Sequence, residues 1–264
     1  MIGRVLIVAG SDSGGGAGIQ ADIKAVTMLG GYAATAIAAL TVQNTLGVTA
    51  VHPVPPAFVQ AQMRAVLDDI GADAIKTGML GDAAMVAAVS EVIEALAAPP
   101  ALVVDPVMVA KGGARLLDAD AVSAVTGRLL PLAALVTPNA PELEALTGLA
   151  VIDEASAVAA GRALQAQGAR AVLVKGGHLP GDEVVDWLLA PDGDHRFAAP
   201  RIETRHTHGT GCTLASAIAC GLAKGLSLKD SVAEARDYVR AAIAAAPGLG
   251  QGHGPLGHNF AVLK

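Results

Sequence analysis

Short apolar runs alternate with longer amphipathic segments along most of the chain. The short runs are rich in Val, Ile, Leu and Ala and predict strands at residues 5–9, 34–42, 74–77, 101–104, 134–137 and 171–175. The longer segments repeat apolar residues at helical spacing and predict helices at residues 19–29, 56–70, 82–96, 119–129, 156–167, 209–224 and 227–246. Asp82 is a predicted N-cap, and Asn139 with Glu142 predicts a capping box.

This alternation predicts an α/β fold with a doubly wound, mainly parallel sheet and helices on both faces. Residues 184–189 and 196–199 flank a Pro-Asp-Gly-Asp turn, which predicts an antiparallel hairpin at one edge of the sheet. The stretch between Lys24 and Arg64 contains no Asp, Glu, Lys or Arg. Its glycines and prolines favour a buried strand plus loop over a membrane span. No linker or repeat divides the chain, so residues 1–264 are predicted to form a single domain.

Composition excludes several classes of protein. Hydrophobic residues make up 53% of the chain and charged residues 16%, which excludes a disordered protein. Aromatic residues are only 2%, too few for the stacking platforms of single-strand binders. The net charge of −6 supplies no basic surface for nucleic acid, so small molecules are the predicted partners.

The two cysteines are predicted to be free thiols. Cys212 and Cys220 lie on one predicted helix, where a separation of eight residues places their Cα atoms about 12 Å apart. A disulfide needs Cα atoms closer than about 7 Å. Free thiols suit a reducing compartment, and the N-terminal apolar run is too short for a signal peptide, so a cytoplasmic location is predicted.

Glycine-rich or polar segments follow most of the predicted strands. Ligands of doubly wound sheets bind at the carboxyl ends of the strands, so these segments predict a binding site there. They are residues 10–18, 42–45, 76–79, 105–108, 137–139, 175–178 and 209–212.

The Gly209-Thr210-Gly211-Cys212 segment opens a predicted helix. Backbone amides at a helix N-terminus bind anions, and glycines let the chain close around a phosphoryl group. The alternative is a plain N-terminal loop in which the Thr and Cys side chains only pack.

Three charged residues at strand ends favour phosphate chemistry. Asp105 and Glu142 supply the oxygen ligands that Mg²⁺ prefers, and Lys175 is placed to pair with nucleotide phosphates. Two of these assignments have an alternative, because Glu142 is also the capping-box partner of Asn139 and Lys175 is also consistent with a solvated surface lysine.

Several common motifs do not account for the sequence. Residues 16–21 fit the dinucleotide pattern G-x-G-x-x-A, but they lie well past the preceding strand and no acid follows about twenty residues later. The sequence contains no P-loop and no nucleophile elbow. His206, His208 and Cys212 match no common spacing of zinc ligands.

Seven segments together carry a resemblance to a known family. They are AGSDSGGGAGIQAD (9–22), QNT (43–45), KTGML (76–80), DPVM (105–108), TPNAPE (137–142), VKGGH (174–178) and THGTGCT (207–213). In this order they resemble the ribokinase-like superfamily, and within it the hydroxymethylpyrimidine/phosphomethylpyrimidine kinases of thiamine biosynthesis. The resemblance implies a three-layer sandwich, use of ATP and Mg²⁺, and a small lid, for which the glycine-rich residues 111–117 are the candidate.

The resemblance also implies roles for individual residues. The pyrimidine pocket maps to Gly10, Ala17, Asp22, Val42, Gln43, Met79, Val107 and Cys212. In that pocket Gln43 and Asp22 suit the donor and acceptor groups of an aminopyrimidine, and Met79, Val42 and Val107 suit the faces of its ring. The nucleotide contacts map to Lys175, Thr137, Asn139 and Thr210, the anion hole to Gly209, Thr210 and Gly211, and the metal ligands to Glu142 together with Asp105.

Cys212 departs from the wider superfamily, whose sugar kinases have a general-base Asp at this position. We hypothesise that Cys212 serves two successive transfers, first to an alcohol and then to a phosphate monoester. A fixed carboxylate would repel the monoester, whose second pKa is about 6. A thiol is neutral, and near a helix N-terminus its pKa is expected to fall, so that it also becomes a thiolate.

The predicted protein is therefore an ATP- and Mg²⁺-dependent kinase of hydroxymethylpyrimidine and of its phosphate. A pyridoxal or pyridoxine kinase, or an enzyme with both specificities, is the alternative within this class. A non-catalytic pyrimidine-binding protein is the alternative outside it, and the retained acids, lysine and Gly-Thr-Gly-Cys segment argue against it. No nucleic acid or membrane partner is predicted, and the resemblance implies a homodimer.

Overall fold

The computed structural model describes residues 2–108 and 119–262. The candidate lid at residues 111–117 lies outside the described residues. The strands are β1 (Arg4–Ser11), β2 (Tyr32–Asn44), β3 (Gly47–Pro53), β4 (Ala74–Thr77), β5 (Ala101–Val104), β6 (Leu135–Val136), β7 (Val172–Val174), β8 (Glu183–Ala190) and β9 (Gly193–Pro200). The helices are α1 (Gly18–Met28), α2 (Pro56–Asp69), α3 (Ala83–Glu94), α4 (Ala119–Ala124), α5 (Ala140–Thr147), α6 (Glu154–Ala166), α7 (Thr210–Ala223) and α8 (Leu228–Ala244).

The strands of the described residues form one sheet in the order β3-β2-β1-β4-β5-β6-β7-β8-β9. The six strands β2, β1, β4, β5, β6 and β7 are parallel to one another, and β8 and β9 form the predicted antiparallel hairpin. The prediction of a doubly wound, mainly parallel sheet with an antiparallel edge hairpin is confirmed. Because the parallel strands all end on one side, their polar C-terminal segments meet there.

The opposite edge of the sheet differs from the prediction. Residues after Val42 are predicted as loop, but β2 continues to Asn44 and turns back into the antiparallel strand β3. Most residues of β3 are exposed. A strand with no buried face lacks the apolar alternation that reveals strands in a sequence, which is why the pattern missed it.

Each face of the sheet has its own apolar core. Side chains of β1 alternate between them, since Leu6 and Val8 pack into one core while Val5 and Ile7 pack into the other. The first core contains residues of helices α2 to α6, and the second contains residues of α1, α7 and α8. This is the predicted arrangement of helices on both faces.

Local signals at helix ends are confirmed. The Asp82 carboxylate caps α3 by accepting a 2.8 Å hydrogen bond from the Met85 amide. Asn139 and Glu142 form the predicted capping box of α5, with side chain to backbone distances of 3.0 and 2.8 Å. Predicted helix 119–129 instead passes from α4 into a π-helical turn (Val125–Leu129).

Cys212 and Cys220 are free, as predicted, and Cys220 is buried in the core that contains α7. Among residues 2–108 and 119–262, no helix is long and apolar enough to cross a membrane.

Residues 250–258 follow the last helix and pack against distant parts of the chain. The His253 amide donates to the Thr45 carbonyl at 2.9 Å, and the Gly252 amide donates to the Thr45 hydroxyl at 3.3 Å. The His208 amide donates to the Gly254 carbonyl at 3.1 Å. This segment therefore joins the β2–β3 turn to the residues just before α7.

Candidate active site

A cavity of about 790 Å³ lies at the carboxyl ends of the parallel strands. Its wall includes residues near the end of β2 and residues at or after the ends of β1, β4, β5, β6 and β7. The predicted site residues found there are Gly10, Ala17, Gln43, Met79, Asp105, Val107, Asn139, Glu142, Lys175, Gly209, Thr210, Gly211 and Cys212. The structure thus brings most of the predicted pyrimidine, phosphate and metal residues into one site.

Three predicted site residues do not line the cavity: Asp22, Val42 and Thr137. Val42 is 61% exposed, whereas Thr41 and Gln43 both contribute to the cavity wall. Successive side chains of a strand point to opposite faces, so a wall that contains Gln43 takes Thr41 rather than Val42. The prediction that Val42 packs on the substrate is therefore not supported by its position.

Asp22 is fully buried behind the cavity wall. Both of its carboxylate oxygens lie 2.9 Å from Lys76 Nζ, and the Ser216 hydroxyl donates to one of them at 2.7 Å. Burial lowers the pKa of Lys76, but Asp22, Cys212 and Asp105 together raise it by more, and the net pKa lies above its usual value. The carboxylate is thus committed to an internal ion pair rather than turned toward a ligand.

The turn before α7 has the geometry of an anion site. Gly209 has φ +82°, and a Cβ atom there would lie 1.8 Å from the Gly16 carbonyl oxygen. The first bond of the helix runs from the Thr213 amide to the Gly209 carbonyl at 2.9 Å. An α-helix leaves its first amides without partners inside the helix, and residues 210–212 line the cavity. These features favour the anion site over a plain loop.

Lys175 lies between two carboxylates at the ends of β5 and β6. Its Nζ atom is 3.0 Å from Asp105 Oδ1 and 3.7 Å from Glu142 Oε2, and its side chain is only 11% exposed. The alternative of a solvated surface lysine is therefore wrong. Burial lowers the pKa of Lys175, but the two carboxylates raise it by more, so the ammonium stays charged.

The pKa values of the Asp105 and Glu142 carboxyl groups shift in opposite directions. Burial raises the pKa of Asp105, but Lys175 and Lys76 lower it by more, so the net shift is downward. Thr137 supports the charge, since its hydroxyl donates to Asp105 Oδ1 at 3.2 Å. Burial raises the pKa of Glu142 to about 7, partly offset by Lys175. Thr137 thus acts on the site through Asp105.

The donor set fits Mg²⁺. The described residues contain no group of three or more His, Cys, Asp and Glu side chains able to hold a metal. Mg²⁺ binds in enzymes through one or two carboxylates, with water and substrate phosphates filling the other positions. The paired carboxylates of Asp105 and Glu142 beside the anion site match that requirement.

Cys212 is a neutral thiol in this setting. Burial raises its pKa to about 12, an effect that Lys76 opposes and that Asp22 and Asp105 reinforce. The expectation that the helix N-terminus would lower this pKa is wrong, because desolvation outweighs the helix dipole here. A thiol with this pKa stays protonated near neutral pH.

Asp12 and His208 are site residues that the sequence did not reveal. The Asp12 carboxylate accepts hydrogen bonds from three backbone amides, at 2.8 Å from Gly14, 3.0 Å from Gly16 and 2.8 Å from Ala17. His208 Nε2 lies 2.9 Å from the same carboxylate. Burial raises the pKa of Asp12, but these hydrogen bonds lower it by more. An Asp before a run of glycines is a turn signal that can point to such a loop.

The sequence also showed no sign of a second part of the cavity wall. It is mainly apolar, with Val184, Ile202, Val239 and Ile243 beside Arg201 and Arg240. The Arg201 guanidinium donates to the carbonyl oxygens of Gly177, Leu179 and Gly181 and so fixes the loop after Lys175. Apolar residues scattered over β8, α8 and a loop give no local signal in a sequence.

Known proteins resemble this chain along most of its length. A profile of the family described as phosphomethylpyrimidine kinase matches residues 12–257. The thiamine biosynthesis bifunctional protein ThiED of Geobacter sulfurreducens is 54% identical over 259 residues, which are 98% of this chain and 53% of that protein. This chain therefore spans about half the length of that relative. The hydroxymethylpyrimidine/phosphomethylpyrimidine kinase of Haemophilus influenzae is 50% identical over 261 residues, which are 97% of this chain and 96% of that one.

Solved structures share the fold. The ADP complex of Bacillus subtilis pyridoxal kinase superposes with a TM-score of 0.92 at 33% identity, over the whole of both chains. Phosphomethylpyrimidine kinase from Clostridium difficile superposes with a TM-score of 0.81 at 37% identity, over 92% of this chain and 100% of that one. These comparisons confirm the ribokinase-like fold and the phosphotransferase class predicted from the sequence. The chain belongs to the phosphomethylpyrimidine kinase family.

Proposed function

We propose that this kinase transfers the γ-phosphoryl group of ATP to the hydroxymethyl oxygen of 4-amino-5-hydroxymethyl-2-methylpyrimidine. A second transfer, to the phosphate of that product, gives the diphosphate used in thiamine biosynthesis. The proposal is carried by one cavity in which three features lie together. They are the turn at residues 209–212 with the geometry of an anion site, the cluster of Lys175, Asp105 and Glu142, and the Gln43 amide. The relatives named for both kinase steps support it.

The substrate lies between apolar and polar parts of the wall. Met79 and Val107 supply apolar surface for the faces of the ring, and Gln43 supplies a donor and an acceptor for its aminopyrimidine edge. Gly10 and Ala17 line the same part of the wall, and Gly10 lets Met79 pack against the backbone, since a Cβ atom on Gly10 would lie 2.4 Å from Met79 Cε. Asp22 and Val42 are left out of this contact set because of where they lie.

Catalysis in this proposal is positioning plus stabilisation of charge. The amides of Gly211 and Cys212 and the Lys175 ammonium face the transferred phosphoryl group, and Asn139 and Thr210 lie beside the nucleotide phosphates. Asp105 and Glu142 would hold Mg²⁺, which when bound neutralises charge on the phosphates. The attacking hydroxyl needs little base catalysis, because phosphoryl transfer passes through a loose transition state. A neutral Cys212 is consistent with that chemistry.

The test is the mass of the product after incubation with ATP, Mg²⁺ and the hydroxymethylpyrimidine. We expect a monophosphate that is then converted to a diphosphate, with neither formed when ATP is left out. A monophosphate that never gains a second phosphoryl group would overturn the second step. A pyrimidine returned unchanged would overturn the proposal.

Pyridoxal kinase activity is the second candidate. It is favoured by the whole-chain superposition on Bacillus subtilis pyridoxal kinase. The same incubation with pyridoxal in a parallel tube decides it, since phosphate found only on pyridoxal would move the assignment to that activity. Phosphate on both substrates would show a dual-specificity enzyme.

Replacing Cys212 with Asp is expected to impair the second transfer more than the first. A carboxylate near the acceptor repels the phosphate monoester, which is largely dianionic above its second pKa of about 6, but not the neutral alcohol. We expect kcat/KM for the monophosphate to fall roughly 10–100-fold further than kcat/KM for the alcohol. Cys212→Ser is the matched control and should change both alike. Equal losses in the Asp variant would contradict the explanation for the cysteine.

A homodimer stays a proposal, supported by exposed apolar side chains near one sheet edge. They are Leu40, Val42, Leu46, Val51 and Phe58. Light scattering of the purified protein decides between one chain and two. The compartment also stays a prediction, for which the two free thiols favour a reducing cytoplasm.

A further inference from the structure

The Gln43 amide lies between His208 and Thr41 at the substrate end of the cavity. Its Nε2 atom is 3.2 Å from His208 Nε2, and its Oε1 atom is 3.1 Å from the Thr41 hydroxyl. An amide offers an acceptor at one end and a donor at the other, so its orientation decides what it presents to a ligand. The two neighbours determine which orientation is satisfied.

His208 presents an N–H to this amide. Its Nε2 atom lies 2.9 Å from the Asp12 carboxylate, which also accepts three backbone amides and is held in its ionised form. An ionised carboxylate only accepts hydrogen bonds, so a proton must lie on His208 Nε2. This holds for the neutral and for the charged imidazole. The end of the Gln43 amide that lies beside the same N–H must therefore be an acceptor, which is its oxygen.

Thr41, at the other end of the Gln43 amide, requires the same orientation of that amide. Its hydroxyl lies 2.9 Å from the Ser11 carbonyl oxygen, which can only accept, and 3.1 Å from Gln43 Oε1. We place its single proton on the shorter contact, toward Ser11. The hydroxyl can therefore only accept from Gln43. Both neighbours are satisfied when the amide is turned by 180°, so that its oxygen faces His208 and its NH₂ group faces Thr41.

We propose that His208 is a positioning residue that fixes the Gln43 amide in this orientation and so makes the enzyme prefer 4-aminopyrimidines to 4-oxopyrimidines. His208 and Thr41 each take one hydrogen-bonding position, which leaves one acceptor and one donor of Gln43 for the substrate. An aminopyrimidine edge offers an N–H and a ring nitrogen in matching order. A 4-oxo ring has an acceptor where the amino ring has its N–H and a donor where the amino ring has its ring nitrogen. It therefore places acceptor against acceptor and donor against donor at the Gln43 amide. This inference rests on the proposed function.

The tautomer of His208 is the first test, and it needs no substrate. In the full-length protein labelled with ¹⁵N-histidine, we expect the His208 signals at pH 7.5 to show a proton on Nε2. The assignment comes from their loss in His208→Gln. A ring protonated only on Nδ1 would overturn the proposal whatever the enzyme phosphorylates. A protonated Nε2 in a protein that leaves the pyrimidine unchanged would overturn the proposed function, and with it the preference, but not the amide orientation.

Kinetics of two His208 variants are the second test. His208→Phe keeps a ring but has no donor, whereas the amide nitrogen of His208→Gln is as many bonds from Cβ as Nε2 of histidine and donates to both acceptors. For the Phe variant we expect KM for the aminopyrimidine to rise about 10–100-fold with a smaller change in kcat. We expect its preference over the 4-oxo analogue to fall at least about tenfold, and the Gln variant to restore most of both.

A merely structural role for His208 predicts a different result. Both variants would then lose kcat and thermal stability, and the preference for the amino ring would stay unchanged, which would overturn the proposal. Should the Phe variant fail to fold, Thr41→Val tests the other end of the amide. It removes the acceptor for the NH₂ group, and we expect the same loss of preference. An unchanged preference in that variant would also overturn the proposal.

Discussion

Replacing Gly209 with alanine is expected to lower kcat by about 10³-fold or more. Gly209 has φ +82°, and the added Cβ would lie 1.8 Å from the Gly16 carbonyl oxygen. Because that neighbour is backbone, the turn itself has to move. The amides of Gly211 and Cys212 would then no longer point at the transferred phosphoryl group. In a preorganised site the loss of a single such donor costs about 10²–10³ in kcat.

Gly225→Ala is the matched control for this variant. Gly225 lies just past the other end of α7 with φ +86°, and a Cβ atom there would meet nothing within 4 Å. It therefore carries the cost of a left-handed alanine, about 1–2 kcal/mol, without the clash. We expect Gly225→Ala to lower the melting temperature and leave kcat within twofold of the wild type. A Gly209→Ala enzyme with kcat within tenfold of the wild type would contradict the assignment of this turn to phosphoryl transfer.

Replacing Lys76 with methionine is expected to lower the free energy of unfolding by about 3–5 kcal/mol. Both partners of the Lys76–Asp22 pair are fully buried. Among the side chains of residues 2–108 and 119–262, the variant leaves the Asp22 carboxyl group with the Ser216 hydroxyl alone. Denaturant unfolding at pH 7 measures the loss. Arg128→Met is the control, since Arg128 pairs with Glu94 at the surface and should cost less than about 1 kcal/mol.

The loss in the Lys76 variant should depend on pH. Burial raises the pKa of Asp22, and without the lysine nothing of comparable strength opposes that shift. The folded variant then holds a proton that the unfolded chain releases near pH 3.8, so its stability falls as pH rises above that value. We expect a smaller loss at pH 5 than at pH 8, and a partial recovery at pH 8 in the double variant with Asp22→Asn. A loss that is equal at both pH values would contradict a buried ion pair.

The chemistry of the site was predictable where it is encoded in short segments. Parallel strands bring their ends together, so apolar runs followed by Gly-rich or charged residues were enough to place Asp105, Lys175 and residues 209–212 in one site. The capping box of Asn139 and Glu142 was predictable for the same reason, because it involves residues three apart.

Features that depend on register or long-range pairing were not predictable. A one-residue difference in β2 separates Thr41, which lines the cavity, from Val42, which is exposed, and a short apolar run does not show which face is turned inward. The sequence alone suggests that Asp22 binds an amine of the substrate. In the structure its carboxylate is paired with Lys76, which lies 54 residues later in the chain. The contact between His208 and Asp12 spans 196 residues and leaves no local pattern.

The segment at residues 250–258 has a consequence for synthesis on the ribosome. It holds Thr45 at the β2–β3 turn, which leaves the ribosome about 200 residues earlier, and it also accepts the His208 amide. Chains emerge from the N-terminus and fold in that order. A nascent chain therefore forms β1, β2 and β4, which carry most of the proposed substrate contacts, first. The cavity lacks residues 209–212 until α7 has emerged, and it lacks the contacts to Thr45 and His208 until residues 250–258 follow. Phosphoryl transfer is therefore expected only after residues 250–258 have left the ribosome.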